Sequence, residues 1–339
     1  MMWLEGLKRW MRGEVPPHAL VIGAGVAGLT SALFLDACGA RTSVFEKGSE
    51  RRRGPRSVIL SESALEGYDS IGLMSAILQA SNPLARTILN VGGRPLDPRL
   101  KPRVGSRVLP HSQLLEILED ELESRWILVE RGKRVISVNQ SPSQAYATTD
   151  GGTRTAATHI IAADGSASVA HSAFTDPRAV QRVRGWSISG VSTRRHLPAS
   201  LAARIDQGVS LMASQEHMHF IAQMDDPTDD EVIAWSLYLR SAQNVAASAV
   251  SSADRRSQLL NAVRALERLA PSVIGMVRAS HGVAVRAVIS PGRAPIGMHG
   301  RIATVGSARH GDLPLLSALS ADRYAESMEI TERLAVSAP

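Results

Sequence analysis

Gly23, Gly25 and Gly28 form the pattern G-x-G-x-x-G, and Glu46 follows 18 residues after the last glycine. Residues of these types at this spacing can hold a pyrophosphate and a ribose. The first glycine permits a tight turn, and the second lets the backbone approach phosphate oxygens. The third lets a helix pack close to a strand, and the N–H groups at the helix start face the anion. Glu46 stands where an acid accepts the two hydroxyls of an adenosine ribose. Together the four residues point to a dinucleotide site.

The elements around them have the required order. Ala19 to Ile22 is an apolar run that reads as a strand buried on both faces. Leu29, Leu33, Leu35 and Ala37 continue as a helix, and Gly39 stops it. Thr42 to Phe45 reads as a second strand. Ser61 to Leu78 reads as one amphipathic helix, Ile88 to Leu96 as a hairpin, and His111 to Glu123 as a helix with a leucine stripe. Trp126–Glu130, Arg134–Val138 and Ala145–Thr149 read as short strands. Thr158 to Ala163 is another buried strand, running into Asp164-Gly165. The buried strand Arg301–Val305 ends at Gly306, and Leu316 to Leu334 reads as a final helix.

From Arg182 the pattern changes to the alternation of a mixed sheet. Gly185–Val191, Val209–Ala213, His217–Met224 and Glu231–Arg240 read as its strands; Asp254–Leu269 follows as a helix and Val283–Ile289 as a separate strand. A substrate pocket is expected against this sheet. Trp186, Met212, Phe220, Met224 and Trp235 are its candidate lining, although the same residue types also suit a core. His219 and Tyr238 could donate hydrogen bonds to a substrate carbonyl, or be a surface histidine and an ordinary sheet tyrosine. The alternation alone leaves open which face is lined. Asp225-Asp226 and Asp229-Asp230-Glu231 flank Pro227 and read as a solvated turn. No metal-ligand set, carboxylate pair or nucleophile elbow accompanies them.

Composition narrows the classes. The 339 residues suit two domains, or one fold with an inserted lobe, at 44% apolar and 21% charged content. The net charge is +6, but the arginines are dispersed apart from Arg51-Arg52-Arg53, which speaks against nucleic-acid binding. Cys38 is the only cysteine, so intrachain disulfides and cysteine metal sites are excluded; a buried thiol in a reducing cytoplasm is expected. No apolar run is long enough for a membrane span. Residues 1–14 read as an amphipathic helix with Trp3, Leu7, Trp10 and Met11 on one face, which packs on its own domain or else docks on a partner subunit, as in a homodimer, or on a membrane surface.

Three stretches in order resemble the FAD-dependent aromatic hydroxylase family, the p-hydroxybenzoate hydroxylase fold. They are GAGVAG with Glu46, IIAADGSAS around Asp164, and ATVGSARHGDLP from Ala303, where Gly306, Ala308, His310 and Pro314 match the family's third fingerprint. The resemblance implies an α/β fold, a Rossmann-like FAD-binding domain with a mixed-sheet substrate lobe. It places the nucleotide domain at 18–181 and 282–339 and the lobe at 182–281. It also implies FAD held by Gly23, Gly25, Gly28, Glu46, Arg53, Asp164 and Gly306.

Departures from the pattern shape the functional expectation. Ser307 replaces the family aspartate, Ser317 and Leu319 replace two glycines, and His111 and His171 replace two arginines. The adenine half of the site is kept and the flavin-ring half altered, so FAD is expected to be weakly bound, displaced or absent. The leading expectation is a non-redox enzyme of specialised-metabolite biosynthesis that closes a ring in a hydrophobic, polyketide-like substrate. The alternative is a FAD- and NAD(P)H-dependent hydroxylase or epoxidase. A non-catalytic partner subunit ranks last.

Overall fold

The computed structural model describes residues 16–51, 54–84, 86–90, 105–170, 182–215, 218–241, 250–290 and 298–310. In the strand His18–Ile22, side chains alternate between two cores. Ala19 and Val21 pack with the helices Val26–Ala37 and His111–Ser124. Leu20 and Ile22 pack with Val135, Val138, Ala145, Ala147 and Ala157 of a three-stranded antiparallel sheet. Burial on both faces explains why this strand lacks a polar alternation.

Among the described residues, the sheet built on that strand has six strands. Their order is Met298–His299, Ile302–Thr304, His159–Ala162, His18–Ile22, Arg41–Glu46 and Val129–Arg131. Parallel pairing of Val21 with Ile161 and Val44, and of Ile161 with Ala303, brings together strands far apart in sequence. The three motif-bearing strands therefore share one sheet, as the sequence predicts. Leu29, Leu33 and Phe34 of the first helix are fully buried against it. Each contributes roughly 1.5–3 kcal/mol of burial.

The second six-stranded sheet runs His281–Ser290, Arg182–Thr193, Val232–Arg240, Met218–Gln223, Val209–Gln215 and Arg86–Asn90. One face lies under the helices Ala199–Asp206, Ser252–Leu269 and Ile274–Arg278. The other meets a small sheet of Ser57–Leu60, Arg107–Pro110 and Asn82–Pro83, where Ile59, Leu84 and Val108 pack on Met212 and Ile221.

Several elements differ from the sequence expectation. The strand His281–Ser290 pairs with Arg182–Thr193, so the lobe sheet extends past residue 281. Arg86–Asn90 also joins that sheet, parallel to Val209–Gln215, and the remainder of the expected hairpin, 91–96, lies outside the described residues. The expected helix from Ser61 to Leu78 is two helices, Glu62–Ser70 and Met74–Gln79, broken at Gly72 with φ +84°. Trp126 is no strand residue: it ends the helix His111–Ser124 in the left-handed conformation. The expected helices at 1–14 and 316–334 lie outside the described residues, as do Arg53, His171, His217, Ser317 and Leu319. Among the described residues, no helix is long and apolar enough to cross a membrane, and no cluster of His, Cys, Asp and Glu is arranged to hold a metal.

Candidate functional site

The three glycines of the first motif have three different reasons to be glycine. Gly23 has φ +103°, and a Cβ there would lie 2.5 Å from the carbonyl oxygen of Ala163. At Gly28 a Cβ would lie 1.9 Å from the oxygen of Gly23. Both glycines allow close packing of turn, helix and neighbouring strand. At Gly25 a Cβ would meet none of the described residues within 4 Å, so among them its backbone faces open space. Gly25 is also the N-cap of Val26–Ala37; no side chain caps this helix, and its first turn holds no acid. Free first-turn N–H groups, the positive end of the helix dipole and an open approach over Gly25 make a seat for a diphosphate.

Glu46 is 3% exposed and its carboxylate holds the turn together. Oε2 accepts from Ala24 N at 2.8 Å and Oε1 from Gly48 N at 2.8 Å. The sequence expectation assigned Glu46 only to a ribose. The fold shows that it also ties the glycine loop to the end of its own strand, through charge-assisted hydrogen bonds.

Asp164 follows the strand His159–Ala162 and sits beside Gly23, where a Cβ would also come 3.1 Å from the Asp164 Cα. Its Oδ2 accepts from Val169 N at 2.7 Å, while Oδ1 is buried with no hydrogen-bond partner among the described residues. Burial raises its pKa; hydrogen bonds from Ser168 and Val169 and the charge of Lys47 offset part of this. A buried carboxylate oxygen without a protein partner calls for a donor, which a ligand hydroxyl would supply. Gly306, φ +58°, completes the group: a Cβ there would come 2.7 Å from the Cβ of Ala27. Ser307 follows at the start of a short helix, partly exposed. All three motifs thus converge on the first turn of Val26–Ala37, and the donor set and open cradle fit a dinucleotide.

The FAD binding domain family matches residues 17–284. The chain belongs to that family. Its architecture is the flavoprotein monooxygenase fold. The FAD complex of CtdE superposes with a TM-score of 0.71 at 17% identity, covering 96% of this chain and 86% of that one. The 2,6-dihydroxypyridine-3-hydroxylase of Arthrobacter nicotinovorans gives 0.72 at 17%, covering 96% and 85%. In sequence, the chain is 27% identical to a dialkyldecalin synthase of Streptomyces rugosporus over 152 residues. That match covers 44% of this chain and spans only 32% of the relative's length.

In this FAD-binding fold the lobe candidates divide between two sheet faces. Phe220 and Trp235 lie in the core beneath the lobe helices, and Met224 packs at its margin. Trp235 covers Gly190, where a Cβ would lie 2.7 Å from the indole, and Nε1 donates to Ser280 Oγ at 2.7 Å. Trp186 is buried and pairs with Leu239 of that same core face. These four were expected in the pocket; their strand parity instead turns them toward the helices. Met212 alone lies on the opposite, inner face, against Ile59 and Val108.

His219 and Tyr238 also occupy the inner face, directly opposite each other across two strands. Their rings are stacked, with centroids 6.2 Å apart and planes 3° apart. Tyr238 Oη donates to the carbonyl of Arg184 at 3.3 Å, and burial raises its pKa against the opposing charges of Arg240 and Arg184. Its ring lies over Gly185, where a Cβ would clash at 2.4 Å.

Two residues escaped the sequence reading. Asp225, expected in a solvated turn, is 4% exposed, and its Oδ2 accepts from Ser57 Oγ at 2.7 Å. Its place after the strand Met218–Gln223 continues the inner-face parity of His219, Ile221 and Gln223, which was the available signal. Arg56 places Nη2 3.4 Å from His111 Nε2, and its carbonyl accepts from His111 N at 2.8 Å. Nothing in the spacing of the basic loop marked Arg56 out.

Proposed function

We propose that this chain is a FAD-dependent monooxygenase of small-molecule metabolism, using NAD(P)H as reductant and a hydrophobic or aromatic substrate. The observation that carries this reading is the convergence of Gly25, Asp164 and Gly306 on one open, uncapped helix start. Gly23 to Gly28 and the following N–H groups would hold the pyrophosphate. Asp164 Oδ1 would accept from a cofactor hydroxyl, and Glu46 would keep the loop in place while meeting the ribose. When bound, FAD supplies oxygen-transfer chemistry, so the chain itself must bind, orient and exclude water. The lobe sheet and the small sheet Ser57–Leu60, Arg107–Pro110 and Asn82–Pro83 would do that, a reading supported by the packing of Met212 and Ile221 with Ile59 and Val108.

A second reading is ring closure without redox chemistry, by confining a flexible unsaturated substrate in a reactive conformer. Two observations favour it: the similarity to a dialkyldecalin synthase, and Ser307 in place of the family aspartate. The isolated protein separates the readings. A flavin absorbance band with substrate-stimulated NAD(P)H oxidation supports the monooxygenase. Conversion of substrate under anaerobic conditions without NAD(P)H supports ring closure and overturns the first reading.

A further inference from the structure

The net charge of the chain is +6, and the fold gathers most of it in one place. The helical layer of the lobe, 194–206 and 252–278, carries eight arginines against three acids, a net +5. All three acids are already engaged. Asp206 Oδ1 accepts from Arg194 Nη1 at 2.7 Å, and Glu267 pairs with Arg278. Asp254 Oδ2 accepts from Ser251 N at 2.8 Å in the capping box of the helix Ser252–Leu269. Arg195, Arg204, Arg255, Arg256, Arg264 and Arg268 are exposed and make no ion pair among the described residues.

The helix Ser252–Leu269 concentrates this charge. On its inner side Ala262 and Leu266 are buried in the core shared with the lobe sheet, and Leu259, Ala265 and Leu269 pack beside them. On its outer side Arg256, Leu260, Arg264 and Arg268 follow one another four residues apart, so they form one stripe. The stripe works against the helix that carries it. Arg255 lies in the first turn, at the positive end of the helix dipole, with Arg256 next to it. Arg264 and Arg268 are like charges one turn apart. Only Arg268, in the last turn, suits the dipole. A face that merely meets solvent gains nothing from this arrangement, because acids in the first half of the stripe would suit the helix better.

Leu260 sits in the middle of the stripe and is 54% exposed. Among the described residues, it is the one large hydrophobic side chain so exposed on these helices. An apolar knob ringed by unpaired cations matches the anchor and polar rim of a protein interface. One leucine is too little apolar surface for a helix lying in a membrane interface, whose whole face is apolar. No Phe, Tyr or Trp lies in 194–206 or 252–278, so the stacking platform of a single-stranded nucleic-acid site is missing there. Two copies of the stripe brought together about a two-fold axis would set arginine against arginine.

We propose that this stripe docks an acidic amphipathic helix of a partner protein, with an apolar side chain of that helix on Leu260 and its carboxylates on Arg256, Arg264 and Arg268. Charge complementarity selects the occupant, since guanidinium groups pair with carboxylates through two parallel hydrogen bonds. The stripe belongs to the helix-covered side of the lobe sheet, opposite the small sheet that packs on Met212 and Ile221. Docking there does not depend on which reaction the enzyme performs.

The test uses the full chain and two fluorescein-labelled peptides of equal composition, each as long as the helix. In one, glutamates flank a leucine stripe at helical spacing; in the other the same residues are scrambled. Binding is read by fluorescence anisotropy. The patterned peptide is expected to bind at least about tenfold more tightly than the scrambled one, and to weaken as NaCl rises from about 50 mM to about 500 mM. Arg256→Glu with Arg264→Glu should weaken it by about twentyfold or more. The same variant should melt about 1–3 °C higher, because it relieves the helix, so its loss of binding is not a loss of fold. Leu260→Ala should weaken binding about fivefold. Arg134→Glu with Arg154→Glu, two exposed sites on the nucleotide half, changes the net charge equally and should keep affinity within about twofold. Absence of binding, equal binding of the two peptides, or an equal loss in the nucleotide-half variant overturns the proposal. Binding to phosphatidylglycerol vesicles without binding to the peptide assigns the stripe to a membrane surface and overturns it too. Self-association of the parent in sedimentation, abolished by Leu260→Ala, assigns the stripe to a second copy and has the same consequence.

Discussion

Ser57 Oγ donates to Asp225 Oδ2 at 2.7 Å, joining the start of a strand in the nucleotide half to the end of a strand in the lobe 168 residues later. Asp225 is buried, and that burial raises its pKa to about 6, against the lowering effect of Ser57. The folded state holds this proton more tightly than the unfolded chain, whose aspartates titrate near 4. The favourable contribution is therefore complete below about pH 4 and lost as pH rises through about 6. Asp225→Asn removes the ionisation and keeps a side-chain acceptor. The variant should gain on the order of 2–3 kcal/mol relative to the parent between pH 4 and pH 7. Thermal melts across that range check this; parallel curves for the two proteins would refute it.

Gly25 and Gly28 should respond in opposite ways to alanine. Gly28→Ala drives a Cβ into the Gly23 carbonyl, with backbone on both sides unable to yield. A loss of about 2–3 kcal/mol or more is expected, together with FAD binding. Gly25→Ala meets no protein atom and takes a β-region N-cap conformation that alanine accepts. It should cost under about 1 kcal/mol while weakening FAD at least tenfold, because the methyl occupies the ligand's approach. Melting temperature and FAD titration together separate packing from binding.

Glu46→Gln keeps the shape but leaves one acceptor for two N–H donors. Either Ala24 N or Gly48 N then faces an amide NH2. The expected cost is about 1–3 kcal/mol, with faster amide hydrogen exchange in the glycine loop. An unchanged exchange rate at Ala24 would show that the carboxylate does not hold the loop.

Trp126 is 95% exposed with φ +60°, and its neighbours complete a helix-ending motif: Trp126 N donates to Glu123 O and Ile127 N to Leu122 O. Glycine is the residue that adopts this position without strain. Trp126→Gly should raise stability by about 0.5–1 kcal/mol, read by denaturant unfolding.

Trp235→Phe tests the face assignment. Losing the indole donor to Ser280 and part of the packing over Gly190 should lower stability by about 1–2 kcal/mol. Ligand affinity should stay within about twofold, as expected for a residue in the helix-covered core. A large loss of affinity with unchanged stability would return Trp235 to the pocket.

The sequence by itself determined the motifs of the nucleotide half and the strands that carry them. G-x-G-x-x-G, Glu46, Asp164-Gly165 and Gly306 are short motifs whose backbone demands are local, so each glycine could be given a role before any contact was known. The helix His111–Ser124 was legible for the same reason, through its leucine stripe. The lobe was not. Alternation shows that Phe220 and Ile221 face opposite ways, but only cross-strand pairing and the helices laid on one side decide which way is inward. That is why Trp235 and Phe220 read as pocket residues and are core. Asp225 failed to stand out for a related reason: its sequence neighbours are acids and a proline, and its hydrogen-bond partner Ser57 is a residue that only the tertiary fold brings beside it.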